Sequence, residues 1–408
     1  MFGGIGRALS HRDYCIYWAS NGINTIGRWM YRVAVAWLTW ELTESSVWLG
    51  IIAFAESFPL VIFSILAGAI ADRIGYIRIT ILAQTATAAV AFCFAAITLA
   101  GAITIELVLV FTLLIGSLES LTTPARMALV NALVPKQDLP AAISLQSATF
   151  NAARFVGPAI AGLLISWTGS GVVLAVVALS FSQFCIALLI IKADEPERNP
   201  GPWRNLIGDI NTGIRYGFGN PGIRFLLIML GVTGLLIRPV IDLMPAFADE
   251  LFSTGAGGFS ILMSAIGFGA MVSCLWIGLR GRTAGLTHMV TISLLVQGVA
   301  LIASTLVGEI WIAAGCFVLV GFAMLVGGVG SQTLIQNSVA SDVRARVMSL
   351  FIVISWGLPA FGALAGGWIA KFAGLPATIA AGGVLTILLW LWARPKANAL
   401  QAELEKPA

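Results

Sequence analysis

The sequence predicts an all-α integral membrane protein, with twelve transmembrane helices in two pseudo-symmetric six-helix bundles. Three observations carry this. Of 408 residues, 59% are hydrophobic and only 10% are charged, against roughly 25% charged in soluble domains. Apolar runs of the ~20 residues needed to cross a bilayer recur twelve times. One half of the chain repeats the other with glycines in register. The runs are continuous, whereas barrel strands alternate over ~10 residues, so a β-barrel is excluded.

The runs fall at 14–41, 47–70, 78–101, 104–130, 141–166, 171–192, 223–248, 258–279, 286–307, 309–337, 344–370 and 374–393. The longest polar interruption gives an N-terminal bundle over 1–192, a linker over 193–222 and a C-terminal bundle over 223–408. Within the linker, Trp203 to Phe218 has apolar residues at helical spacing, as in a helix lying along a membrane surface. Met1 to Arg7 lacks an apolar signal core and a cleavage site, so the first span is expected to stay in the mature protein. At a shift of 205, Gly157, Ala161 and Gly162 meet Gly362, Gly366 and Gly367. At a shift of 210, Gly68 and Gly75 meet Gly278 and Gly285. A repeat of this kind marks transporters built from two parallel bundles.

Basic residues orient the chain. Eighteen of the 23 Lys and Arg fall on one side if both termini are cytoplasmic. Arg28, Arg32, Arg154 and Arg238 lie inside spans, and only Lys371 is left for the opposite side. The positive-inside rule therefore puts both termini in the cytoplasm.

In the first span, Asn21, Asn24, Arg28 and Arg32 are spaced 3, 4 and 4 and share one face. Such a stripe cannot face lipid, since a mid-bilayer Arg costs at least ~2.5–3.5 kcal/mol. It lines a cavity, or it ties this helix to its neighbours. Glu56 in the second span fits a proton carrier, or an ion pair with Arg28 or Arg32. The hairpin after it runs Gly68, Asp72, Arg73, Gly75, Arg78, with Gly75 suited to a tight reversal. The fourth span carries Glu119, a second intramembrane acid, and Arg126 toward the cytoplasmic end, where a gate is expected. In the fifth, Arg154 precedes Gly157-Pro158, a bend or simply close packing. Arg154 is a cavity cation or a partner for Glu56 or Glu119. In the seventh, Arg238 and Asp242 are an i,i+4 pair that neutralise each other or exchange partners. Gln332 and Gln336 in the tenth contact substrate or bond within the core. Asp342, Arg344 and Arg346 open the eleventh, whose positive dipole end would then face the same side as Asp72.

Other chemistry is not indicated. The five scattered cysteines read as small buried hydrophobes, with neither a metal cluster nor a disulfide framework. No phosphate-binding Gly-rich loop with its Lys and no catalytic triad is present, so neither an enzyme nor a cofactor is expected. The net charge of +4 belongs to the topology and gives no sign of nucleic acid.

Gly68, Ala71, Asp72, Arg73 and Gly75 resemble the loop between helices 2 and 3 of the major facilitator superfamily, G-x-L-A-D-R-x-G-R-K. Tyr76 and Ile77 stand where that loop has two basic residues. The stretch from Arg154 to Gly162 is similar to the superfamily's antiporter signature, with Ala153 and Ala161 replacing two glycines. Trp37 to Ser45, Pro124-Ala125, Gly213 to Tyr216 and Gly258-Phe259-Ser260 resemble its branch of bacterial siderophore, macrolide and multidrug exporters. The resemblance implies a monomer in the cell inner membrane that works by alternating access, with Asp72 gating against the start of the eleventh helix. With it, the residues suggest a proton-coupled exporter of a small amphipathic molecule bound at mid-membrane between the bundles. The excess of intramembrane arginines over Glu56, Glu119 and Asp242 suggests that this molecule is anionic. Partners are then the small-molecule substrate, protons and the lipid bilayer. A non-transporting sensor or assembly partner with this fold, an importer and a lipid transporter stay open as alternatives.

Overall fold

The computed structural model describes residues 3–192, 214–339 and 343–406. Most of the expected surface helix at Trp203 to Phe218 lies outside them. The chain forms two compact units, one of Met1–Thr43 with Ala55–Trp203 and one of Glu44–Phe54 with Arg204–Ala408.

The first unit contains α1 (Gly3–Ser10), α2 (Arg12–Thr43), most of α3 (Ser46–Ile74), α4 (Tyr76–Leu99), α5 (Ile105–Leu133), α6 (Leu139–Thr168) and α7 (Ser170–Ile190). The first residues of α3 group with the second unit, where Ser46 Oγ donates to the Gly367 carbonyl at 3.0 Å. The second unit continues with α8 (Pro221–Leu236), α9 (Arg238–Asp242), α10 (Met244–Phe252), α11 (Gly255–Arg280), α12 (Leu286–Leu306), α13 (Ile310–Ser338), α14 (Arg344–Ala373) and α15 (Leu375–Leu404). Eleven segments among the described residues are long and apolar enough to cross a membrane. The twelfth long helix, α2, has the length, 32 residues, but its polar stripe lowers its apolar character.

Two expected boundaries move for local reasons. The run at 223–248 is three pieces, α8 to α10, because Pro239 and Pro245 have no N–H to carry the helical ladder through. The last helix runs past 393 to Leu404 although Pro395 lies inside it. Ala397 and Leu404 of this extension are buried in the second unit's core with Ile223, Leu334 and Val339. Gly75 keeps its expected role, standing at φ +101° before α4, a conformation that favours glycine.

The repeat is realised in three dimensions. In the first unit α2 packs on α6 and α7, and α4 on α5 and α7. In the second, α8 packs on α14 and α15, and α12 on α13 and α15. Glycine contacts fix the register. A methyl on Gly157 would stand 2.6 Å from Trp29 Cβ and 3.0 Å from the Ile26 carbonyl. One on Gly362 would stand 2.7 Å from Pro239 Cγ and 2.6 Å from the Leu235 carbonyl. Likewise Gly116 abuts the Glu56 carbonyl, and Gly321 abuts that of Ile266. Glu56 therefore corresponds to Ile266. Three and ten residues beyond the two glycines, Glu119 corresponds to Met324, and Arg126 to Ser331.

Each unit has its own aromatic core. Tyr14, Tyr17, Phe94, Phe181 and Phe184 fill the first, and Phe247, Phe259 and Phe317 the second. Trp167, Leu279, Leu306 and Phe372 are largely exposed. Around a soluble protein such residues would form adhesive patches, but here lipid is the solvent.

Candidate functional site

The first unit holds a charge cluster at mid-helix depth. At 1.5 Å per residue, Arg28 stands about 24 Å from either end of α2, and Glu119 lies at the middle of α5. Arg28 Nε lies 3.1 Å from Glu119 Oε2. Arg126 Nη2 donates to the same oxygen at 2.6 Å and to Thr122 Oγ1 at 3.0 Å. The other carboxylate oxygen, Glu119 Oε1, is buried without a hydrogen-bond partner.

The three side chains differ in exposure. That of Arg28 is 39% exposed, those of Glu119 and Arg126 only 11% and 9%. Arg126 is anchored further through its backbone, whose carbonyl accepts from Tyr17 Oη at 3.3 Å. Gln146 Nε2 donates to that same hydroxyl at 3.4 Å. The sequence placed Arg126 with the gate; the structure sets its guanidinium on Glu119. The two are seven residues apart, two turns along one face of α5, a spacing that could have signalled the pair.

A second, looser pair lies beside the first, with Arg32 Nε 3.7 Å from Glu56 Oε2. Arg32 and Arg154 both lie over the Trp29 ring, at 5.9 and 5.5 Å from its centroid. Trp29 also meets Phe150 edge-on at 5.9 Å. The sequence reading missed this indole, because a tryptophan in an apolar run carries no positional signal.

The polar stripe of α2 divides. Asn24 is fully buried and ties α2 to α4: Gln84 Nε2 on α4 donates to its Oδ1 at 3.1 Å. Gln84 itself, a single amide in an apolar run, could have been read as its partner. Asn21 is half-buried.

In the second unit, Arg238 lies over Trp356 at 5.1 Å. Asp242 ends α9, Gln332 is half-buried and Gln336 is exposed. Arg344 donates through Nε and Nη2 to the Val339 carbonyl just past α13, at 3.3 and 3.1 Å. Arg346 is half-buried in the first turn of α14, and Arg78 is exposed in the first turn of α4. Pro158 lies inside an unbroken α6, and Gly157 brings that helix against α2. Asp342 lies outside the described residues, as do the side chains of Asp72 and Arg73 and the surroundings of Gly68. Among the described residues no group of His, Cys, Asp and Glu has the arrangement of a metal site.

Residues 7–404 match the family described as transmembrane secretion effectors. The chain is 25% identical to the staphyloferrin A transporter of Staphylococcus aureus, over 91% of this chain and 93% of that protein. It is 25% identical to the multidrug efflux pump Tap of Mycolicibacterium fortuitum, over 91% and 90%. With macrolide efflux protein A of Streptococcus pyogenes the identity is 22%, over 82% and 83%. Among solved structures, the nucleoside transporter NupG superposes with a TM-score of 0.75 at 14% identity, covering 94% of this chain and 98% of that one. A POT family transporter in complex with 5-aminolevulinic acid gives 0.73 at 16%, covering 97% of each. At such identities the structures establish the fold alone.

Proposed function

We propose that this chain, which belongs to the transmembrane secretion effector family of the major facilitator superfamily, is a proton-coupled exporter of a small amphipathic organic molecule. The observation that carries the proposal is the Arg28–Glu119–Arg126 cluster at mid-helix depth. Burying three charges there is costly, and a merely structural helix bundle has no need of them. Curated relatives named for efflux of macrolides and multiple drugs support the outward direction.

In this reading the protein alternates between inward- and outward-open states. Glu56 is the first candidate for proton exchange. It is held by Arg32 at 3.7 Å and its side chain is 28% exposed, so both water and a competing partner can reach it. Glu119, clasped by two guanidiniums, keeps the path's architecture. Both termini face the cytoplasm of a bacterial inner membrane, following the distribution of Lys and Arg. Asp72 serves the gate.

The test is uptake of labelled siderophores, macrolides and amphipathic anions into inverted membrane vesicles, with and without a proton gradient. Gradient-driven uptake that disappears in Glu56→Gln supports a proton-coupled exporter. Uptake indifferent to the gradient points to a facilitator. If Asp72→Arg transports normally while reaching the membrane, the gate role fails. A chain that moves nothing across a broad panel favours the sensor or assembly role.

A further inference from the structure

We infer that Arg28 is the docking residue for an oxyanion on the transported molecule, a carboxylate in the first instance, and that Glu119 is its resident counter-anion. The inference rests on the transport reading above and narrows its substrate class.

A guanidinium is permanently charged and presents a planar fork that matches an oxyanion in bidentate fashion. Arg28 meets Glu119 Oε2 as an ion pair, with Nε 3.1 Å from the oxygen. Its two η nitrogens make no hydrogen bond to the described residues, and 39% of the side chain is open. At the middle of a spanning helix that open edge cannot rest in lipid without a large penalty, so it faces water or a solute.

Glu119 supplies the second observation. Both arginines converge on one of its oxygens, while the other is buried and unpaired. An arginine and a carboxylate free to optimise their pairing would form two parallel bonds. Here Arg126 holds the shorter contact and is the more buried, so it fixes Glu119 in place. Arg28 holds the longer contact, through Nε, and is the partner that can leave. Two arginines against one carboxylate leave a net positive charge, which a bound anion would balance.

The two roles have opposite signatures. Substrate anion and Glu119 compete for one guanidinium, so weakening Glu119 tightens anion binding and removing Arg28 weakens it. A purely structural triad predicts that both changes weaken binding.

The experiment uses the full chain purified in detergent at constant ionic strength, with thermal unfolding followed against 2-naphthoate, 1-naphthyl phosphate and uncharged 2-naphthamide. A saturable stabilisation by naphthoate and not by naphthamide is expected; its strength relative to naphthyl phosphate separates carboxylate from phosphate recognition. Arg28→Gln should lose at least roughly 10-fold in affinity, the equivalent of one charge-assisted contact. Arg28→Lys, which keeps the charge without the fork, should fall between. Glu119→Gln should tighten binding several-fold. If that variant does not fold, Glu119→Asp, whose shorter side chain draws the carboxylate toward α5, the helix that carries Arg126, and away from Arg28 on α2, should do the same to a lesser degree.

Equal shifts with naphthamide, no saturable shift with either anion at millimolar concentration, unchanged binding in Arg28→Gln, or weaker binding in the Glu119 variants would each overturn the inference. Vesicle uptake separates this from the transport reading. Export of an uncharged compound untouched by Arg28→Gln removes the docking role and leaves the exporter. Anion binding without any transport does the reverse.

Discussion

The two units have the same helix neighbours and the same glycine contacts, yet they differ in what lies inside them. In the first, Glu56, Glu119 and Arg126 stand at positions that Ile266, Met324 and Ser331 occupy in the second. The first is tied at its centre by shared charge. The second is packed by Phe247 edge-on to Phe317 at 5.5 Å and, nearer its centre, by Gly269 and Gly321, which bring α11 and α13 into backbone contact. Duplication preserves what packing geometry demands and leaves side-chain chemistry free to diverge. A glycine at a crossing has no substitute, because any Cβ meets a neighbouring carbonyl. An ionic group at the same depth carries a cost that an apolar residue does not.

The sharpest way to break this contrast is to give the first unit the second unit's residue. Glu119→Met leaves Arg126 buried without its counter-ion and takes the partner from Arg28, and should cost about 3–5 kcal/mol. Met324→Leu at the matching position should cost less than ~1.5 kcal/mol. Thermal unfolding in detergent measures both. Similar losses would mean that the charge cluster is no more than filling.

Shared packing should respond equally in the two halves. Gly116→Ala drives a methyl toward the Glu56 carbonyl, and Gly321→Ala drives one toward that of Ile266. Each should cost about 1–3 kcal/mol, as overpacking does. A large loss at one glycine and none at the other would refute the register on which the comparison rests.

Much of this was legible in advance. Length and apolarity gave the spans, and glycine spacing gave the repeat. Intramembrane charges also stood out, because each one in an apolar run is costly and conspicuous. Their partners were not legible. Arg28 and Glu119 are far apart in sequence, and nothing local says whether Glu56 meets Arg28 or Arg32. Nor did the sequence show Trp29 as the ring beneath Arg32 and Arg154, since it marks a core and a cation platform alike. The last apolar run ends at 393, although long-range burial of Ala397 and Leu404 carries the helix on.

A smaller effect is expected where the halves agree in kind. Arg154 lies over Trp29 in the first unit and Arg238 over Trp356 in the second. Replacing either arginine with Gln should cost about 0.5–2 kcal/mol of stability, the range of cation–π contacts. If the pairs serve transport, the loss of uptake in vesicles will exceed what the lowered stability explains. A proportionate loss makes them structural.

The gentlest comparison lies outside the spans, where each unit ends a helix on a carboxylate. Asp138 precedes α6; His11 Nε2 lies 3.1 Å from one of its oxygens and Arg7 Nε 3.1 Å from the other. These contacts, His11 first, hold its carboxyl below the usual aspartate range. Glu405 accepts from the backbone N–H of Gly285 at 2.7 Å and of Thr287 at 3.0 Å, at the positive end of α12. Burial pushes this carboxyl up, but those bonds and one from Gln401 together outweigh it and hold it below the usual glutamate range. For groups lowered in the folded state, the stabilisation is complete above the ordinary carboxylate values, near 4. It is lost as the pH falls through the lowered folded values. Hydrogen exchange of residues 3–11 and 394–406, corrected for its intrinsic pH dependence, should therefore be flat from about pH 6 to 5 and rise only below about pH 4. Asp138→Asn should remove that rise from the N-terminal segment alone, and Glu405→Gln from the C-terminal segment alone. A rise that begins near neutral pH, or one that either substitution removes from both ends, would mean that the two carboxylates are not the independent clasps their separate partners describe.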